Sequence, residues 1–488
     1  MQNGTLTRRN FIALAASYGW VAHQPALASA VGGDQLAELG LRLKGVLLTP
    51  MTASYEQARR TFSFNPRMDM HPLAIARCSD EGDVLRCLEF ATKNRMDLAI
   101  RGGGHDVLAA STCNGGLVID TSAMNQVSRT ASGTCVTGAG ARTGAINSFL
   151  QPMQLAVPLG DTPSVGVAGL TLGGGLGWLL GRYGTACDNL VRARIVLADG
   201  RILNVDQHEH PDLFWALRGG GGNFGLVTEL EFKTHRVDKV MAGKVVYSGS
   251  NLTNFLHWFA EFRDSAPDDL TTELTVFGGD EPIILVSVCY SGRNELADRA
   301  VAPLLKNFSP LADSLKWLDY AQVTDPDKKI GAVLKQFGPK LNTPPVAQPG
   351  SYWLGGTIPM LSQSSIDVIE DRVHAARGGW AFSLGHHMHG AACRLGGNTT
   401  ALPRRAGSYC FHFDSWWVSA DDAATQMAWV DESMAEMAPH SIPTYINYLS
   451  DDHKSAVRDA YGNKFERLLQ LKRRYDPNNL FHRNRNIS

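Results

Sequence analysis

The chain has 488 residues, 44% of them hydrophobic, and no low-complexity tract, enough to bury a large core in two or more domains. Its 46 Lys and Arg against 47 Asp and Glu leave a formal charge of −1, which argues against nucleic acid or an anionic membrane as the main partner. The eight cysteines are scattered and none falls in a CxxC or CxxxxH spacing, so no metal site is expected from them.

The first 30 residues read as a targeting segment. Thr7-Arg8-Arg9-Asn10-Phe11-Ile12-Ala13 is a twin-arginine pattern, followed by an apolar stretch to Val21 and small-residue cleavage sites at Ala26-Leu27-Ala28 or Ala28-Ser29-Ala30. The stretch is too short for a membrane span, and no later one is long and apolar enough to anchor the chain. The mature protein is expected to start near residue 29 or 31 and to be periplasmic or secreted, exported already folded.

Residues from about 70 to 240 are rich in glycine and alternate short strands with helices, and 31–240 is expected as a first domain. Asp80 and its acidic neighbours cap a helix through Val84–Ala91. Met96–Ile100 reads as a buried strand feeding Arg101-Gly102-Gly103-Gly104-His105-Asp106. Three glycines let the backbone turn tightly against a ligand, and their successive N–H groups form a nest for a diphosphate. His105 then reaches whatever the diphosphate carries; the alternative is a surface turn with a solvated histidine. Gly116–Asp120 is a strand. Gly138–Gly144 mimics a dinucleotide fingerprint, but its third glycine is misplaced and no convincing strand-to-helix context surrounds it, so a Rossmann assignment is rejected.

A second glycine segment, Gly166 to Gly177, includes Gly169, Gly173, Gly174 and Gly175 and is followed by Tyr183-Gly184 and Cys187-Asp188-Asn189. Two such segments joined by strands suggest one extended ligand approached by backbone from two sides. Ala193–Ala198 and Ile202–Val205 form a hairpin about Asp199-Gly200. A third glycine run, Gly219–Gly222, leads into the strand Leu226–Phe232, which contains Val227.

Glycine thins out in 241–440. Helices over Asn251–Ser265 and Gln363–Arg377 alternate with strands such as Pro282–Tyr290, predicting a second domain of antiparallel sheet with covering helices. Tyr409–Trp417 reads as one of its strands, with Tyr409, Phe411, Phe413 and Ser415 on one face and Cys410, His412, Asp414 and Trp416 on the other. His386-His387-Met388-His389 has no carboxylate or cysteine at a metal spacing and is assigned to a cavity wall or strand. The tail, 441–488, returns to short motifs. Arg404-Arg405 and Lys472-Arg473-Arg474 read as solvated faces.

Taken in order, Arg101–His105, Gly116–Asp120, Gly166–Gly177, Tyr183–Asn189, Ala216–Val227, Tyr445–Tyr448 and Tyr475–Phe481 make the chain resemble the berberine bridge enzyme-like group of the vanillyl-alcohol oxidase flavoproteins. The resemblance covers nearly the whole mature chain. It implies an α+β fold: a two-subdomain PCMH-type FAD-binding domain, an inserted substrate domain, and a C-terminal segment returning to the first domain. It also implies extended FAD bonded through His105 to the flavin 8α-methyl group. The cofactor contacts it carries over are Arg101 to Asp106, Asp161, Thr162, Val165, Gly166, Gly169, Gly173 to Gly175, Gly177, Tyr183, Gly184, Asp188, Asn189, Val227, Asn447 and Asn478.

Many members attach FAD a second time through a cysteine where this chain has Thr162. A hydroxyl lacks the thiolate needed for that bond, so a single link through His105 is expected. Val165 holds the position the resemblance associates with oxygen access, where valine goes with oxidases. Asp106 replaces a serine, and so near a diphosphate its carboxylate must point away, pair, bond an imidazole or cap the next segment.

Tyr448 is by resemblance the catalytic base, given a positive charge nearby to stabilise its phenolate; otherwise it is a packed tyrosine. His412 either orients or deprotonates substrate or is a satisfied histidine. The expected activity is hydride transfer from a small alcohol, sugar or amine to FAD and then to O2, giving H2O2. A dehydrogenase serving a quinone or cytochrome and a non-catalytic flavin-binding protein stand as alternatives.

Overall fold

The computed structural model describes residues 31–323, 350–376, 380–395, 397–403, 406–417, 419–443, 445–450 and 454–488. The expected signal segment and Arg404-Arg405 lie outside them. Among the described residues no helix is long and apolar enough to cross a membrane.

Three main sheets organise the chain. The first runs Val46–Leu48, Ala74–Arg77, Leu117–Asp120, Leu98–Arg101, with its last three strands parallel. Burial on both faces explains why Leu117–Asp120 is a continuous buried run rather than an alternating one. The helix Glu81–Lys93 covers this sheet, started by the Asp80 carboxylate, which accepts from the Asp83 N–H. The second sheet is antiparallel and runs Val127–Arg129, Cys135–Gly138, Leu226–Phe232, Leu190–Val196, Ile202–Asp206.

Gly138–Gly144 does join a strand, Cys135–Gly138, to a helix, Thr143–Leu150, so the local context read as absent is present. The Rossmann assignment still fails, because every partner in that sheet is antiparallel and no parallel crossover exists there.

The third sheet is antiparallel throughout, in the order Ala312–Asp313, Lys239–Ser248, Ile283–Tyr290, Leu270–Phe277, Trp380–His387, Tyr409–Trp417, Gly350–Ile358. Its first-entered strand, Lys239–Ser248, straddles the boundary expected at residue 240. Helices Leu252–Ser265, Gln363–His374 and Ala423–Met437 bury one face through Phe255, Phe259, Ile369, Phe382, Phe411, Phe413 and Trp429. The opposite face is left to build a site. The C-terminal helices Lys454–Tyr461 and Phe465–Tyr475 return to the core of the second sheet, packing Tyr461, Phe465 and Leu468 with Phe214, Trp215 and Phe232.

Lys472 is not on a solvated face. Helical periodicity turns Arg473 and Arg474 outward but sends Lys472 into the core. There it donates to Asp476 at 2.7 Å and to the carbonyls of Asn223 and Phe481, both at 2.9 Å. Removing one partner of a buried pair leaves an uncompensated charge. Lys472→Met should therefore lose about 3–5 kcal/mol, read as a lower urea midpoint, while Arg473→Met stays within about 0.5 kcal/mol of the parent.

Candidate active site

The strand Leu98–Arg101 delivers Gly102–Gly104, and the helix Val167–Leu172 starts at Gly166. The two backbones cross in contact: a Cβ on Gly103 would stand 2.2 Å from the Gly166 nitrogen, and one on Gly166 would stand 2.2 Å from the Gly103 nitrogen. Only hydrogen fits between them. Gly169, one turn on, faces open space. The two glycine segments, whose crossing residues Gly103 and Gly166 are 63 positions apart in sequence, therefore form one continuous cradle.

His105 leaves this crossing half-buried. Its ring stacks on Phe62 with centroids 4.3 Å apart, and it hydrogen-bonds the Ser164 backbone beside the second segment. Burial, and then the positive charge of Arg142, lower its pKa to about 4. The imidazole is neutral at pH 7. With one N–H held by a carbonyl, the other nitrogen keeps its lone pair. Thr162 is exposed, and its hydroxyl donates to Asp161 Oδ1 at 3.1 Å. Val165 is half-buried, with its carbonyl accepting from the Thr143 N–H at 3.0 Å.

The C-terminal return closes on the second segment. A Cβ on Gly173 would overlap the Asn447 amide, at 2.0 Å from Oδ1. Asn447 Nδ2 donates to the Leu170 carbonyl and to Tyr445 Oη, both at 3.2 Å, and Tyr445 Oη also accepts from the Gly175 N–H. Tyr448 follows, its ring 5.5 Å from Trp353, 5.6 Å from Tyr445 and 5.9 Å from His412. Burial and then the Asp161 carboxylate, with Glu273 adding to it, push the Tyr448 hydroxyl up. The sequence reading wanted a positive charge here; the charges acting on the phenol are carboxylates. Tyr448 therefore keeps its proton.

The free face of the third sheet stands over this region. Cys410, His412 and Asp414 lie on it, while Phe411 and Phe413 face the helices. His412 Nε2 is 3.6 Å from Asp414 Oδ1, and His412 Nδ1 has no hydrogen-bond partner. Burial lowers His412 to about 4 and raises Asp414 to about 7.

His386 joins them because of a bulge. Between the Leu384–Phe411 and His387–Tyr409 pairs, one strand advances three residues and its partner two. The extra residue reverses the alternation: His387 stacks on Tyr409 toward the helices, and His386 turns to the open face. There His386 Nδ1 is 3.1 Å from Glu273 Oε1 and Nε2 is 4.0 Å from Asp161 Oδ2. Burial lowers His386 to about 4, and burial together with Asp161 raises Glu273. A cavity of about 330 Å³ lined by Arg142, Asn147, Asp161, Pro163, Trp178 and Tyr320 opens beside Asp161. Trp178 is 6.3 Å, ring to ring, from His386.

Other predicted contacts are engaged within the protein. Arg101 donates to the Ala58 and Arg60 carbonyls. Asp106 points away from the cradle: it accepts from the Leu108 and Ala110 N–H groups and pairs with Arg485 at 2.6 Å. Asp188 accepts from Thr185 at its backbone N–H and hydroxyl. Asn189 bonds the Tyr183 and Thr185 carbonyls and His235, on which the Tyr183 ring stacks. Gly184 and Gly177 are close-approach positions against Asp188 and the Leu159 carbonyl. Val227 is buried beside a bulge in Leu226–Phe232. Asn478 sits in the exposed turn after Phe465–Tyr475, outside the converging segments.

This geometry agrees with what the chain is similar to. A family described as an FAD binding domain matches residues 72–206, and a second, berberine and berberine like, matches 444–488. The chain therefore carries the FAD-binding and berberine-like domains of an FAD-linked oxidoreductase. It is 28% identical over 448 residues to the uncharacterized FAD-linked oxidoreductase YgaK of Bacillus subtilis (strain 168), covering 90% of this chain and 96% of that one. It is 31% identical over 299 residues to (R)-6-hydroxynicotine oxidase of Paenarthrobacter nicotinovorans, covering 60% and 65%. A solved structure of 6-hydroxy-D-nicotine oxidase from Arthrobacter nicotinovorans superposes with a TM-score of 0.80 at 25% identity, over 92% of this chain and 98% of that chain. The oxidoreductase thus has the PCMH-type fold, and its residues fit FAD: a glycine cradle that a Cβ would fill, open space over Gly169, and a neutral histidine at its edge.

Sequence reasoning missed Phe62, Glu273 and Trp353 as site residues and left His386 on a wall. Glu273 carried a signal, as the one acid within the strand Leu270–Phe277, on the face opposite Leu270, Leu274 and Val276. The neutral histidines have a consequence for acid stability. His412 and His235 are both held near 4 against an ordinary 6.5, so the unfolded chain takes up protons that the folded chain refuses. The stability they protect is present above about pH 6.5 and falls as pH drops toward 4. Unfolding midpoints measured across that range should slope less in the His235→Asn, His412→Asn double variant than in the parent.

Proposed function

We propose that this oxidoreductase is an exported oxidase whose FAD is bonded once, through His105, and which oxidises a small alcohol, sugar or amine with O2 as acceptor, giving H2O2. The observation that carries the reading is the neutral His105 imidazole, clasped between Phe62 and the Ser164 backbone where the two glycine segments cross. Its free lone pair suits bond formation to an electrophilic flavin carbon. Thr162 offers no thiolate for a second link. Export rests on the order of charged region, apolar stretch and cleavage site before residue 31. A relative named for oxidation of a heterocyclic amine keeps amines within the substrate range.

FAD, when bound, supplies the two-electron oxidation. The chain's own residues hold substrate and move its proton. His412, neutral and with an unpartnered Nδ1, accepts the proton of the reacting hydroxyl or amine, and Asp414 at 3.6 Å steadies the imidazolium. Tyr448 Oη donates a hydrogen bond to the reacting heteroatom, and the Trp353 ring packs edge-on against the Tyr448 ring.

Acid-denatured protein should keep its flavin, visible as a mass increment of one FAD and as absorbance that stays with the polypeptide; His105→Ala should release all of it. Release from the parent overturns the link, and retention by the variant reveals a second attachment residue. With a substrate found by screening peroxide release, His412→Asn should slow anaerobic flavin reduction by about 10²–10⁴ and Tyr448→Phe by less. Reduction that proceeds without peroxide on admitting air would point to a quinone or cytochrome acceptor.

A further inference from the structure

We propose that Asp161, Glu273 and His386 form a binding site for one divalent transition-metal ion, zinc or manganese, beside the substrate cavity. The three donors come from a loop and two strands more than 100 residues apart in sequence, yet one ligand atom from each lies within 4.8 Å of the others. The individual separations, 3.1 Å from His386 to Glu273 and 4.0 Å from His386 to Asp161, compare with roughly 3.3–3.5 Å between ligand atoms about a tetrahedral ion bonded at ~2.0–2.2 Å. Small side-chain rotations close the difference.

A second observation points to a ligand. The His386 side chain is only 3% exposed, and neither of its ring nitrogens has a hydrogen-bond partner. Burying such a group without a partner costs about 1–3 kcal/mol, and the sheet inserts an extra residue to aim it at the carboxylates. Two carboxylates converge on the His386 imidazole from a loop and a neighbouring strand. Mixed nitrogen and oxygen donors select zinc or manganese over magnesium or calcium. The Thr162 hydroxyl donates to Asp161 Oδ1, the outer hydrogen bond that orients a ligating carboxylate. Three protein ligands leave a coordination position for an oxygen or nitrogen of a bound molecule, reached through the cavity at Asp161. The site is independent of how the flavin is attached.

The test uses the full flavin-loaded chain, stripped with EDTA and equilibrated with Zn²⁺ or Mn²⁺. Elemental analysis should find one ion per chain after desalting. Glu273→Gln and His386→Ala should each weaken binding at least about tenfold, while His257→Ala, on the surface, leaves it unchanged. Flavin absorbance is read in parallel, so loss of cofactor is not mistaken for loss of the ion. Should either variant misfold, X-ray absorption of the loaded parent decides: a nitrogen and oxygen shell with one imidazole supports the site, and sulfur in the shell overturns it. No ion retained at micromolar free metal, or equal retention in both variants, overturns it as well and leaves the carboxylates sharing a proton.

Discussion

The crossing of Gly103 over Gly166 constrains everything around it. A backbone nitrogen occupies the space a Cβ would need on either strand, so no other residue permits the same approach. That contact fixes where the first sheet ends relative to the second, and so places His105, Ser164 and the loop carrying Asp161 in one small volume. The Gly173–Asn447 approach repeats the device at the other end of the second segment and draws the C-terminal return, with Tyr448, onto it. The cradle is made of missing side chains, and the chemistry of the surrounding groups depends on how closely those gaps let the segments meet.

Burial then sets the protonation of the site. His105, His386 and His412 are all neutral, and Tyr448 and Cys410 hold their protons. Neutral imidazoles can take up a proton and a protonated phenol can donate a hydrogen bond, so the region can both orient a bound molecule and accept its proton. The carboxylates are the exception, gathered at one edge rather than spread through the cavity.

Much of this was legible in the chain. Short motifs with fixed chemistry — the glycine runs, His105, Tyr445–Tyr448 — survive as local signals because backbone conformation demands those residues there. The alternation of Tyr409–Trp417 gave its two faces correctly, since a strand's period is independent of its partners. What escaped was long-range or irregular. Glu273 looks like any strand acid until Asp161 is folded against it. His386 was assigned to a cavity wall or strand and lies on one, but the face it takes is set by a bulge that no sequence period registers. Which of its options Asp106 takes, and that Lys472 is not solvated, depend on Arg485 and Asn223, partners that only folding brings near. Asn478 was carried by a motif whose turn faces solvent.

The bulge at Leu384–His387 also bears on how such a site changes over time. Losing the one extra residue, with the flanking strand pairs untouched, would restore strict alternation and leave a single residue between them on the cavity face, either Gly385 or His386. Gaining it does the reverse. A single codon inserted or deleted at that step can exchange one cavity-facing group for another in a fully paired sheet, so descendants of this scaffold can acquire new chemistry by a change in chain length rather than by substitution.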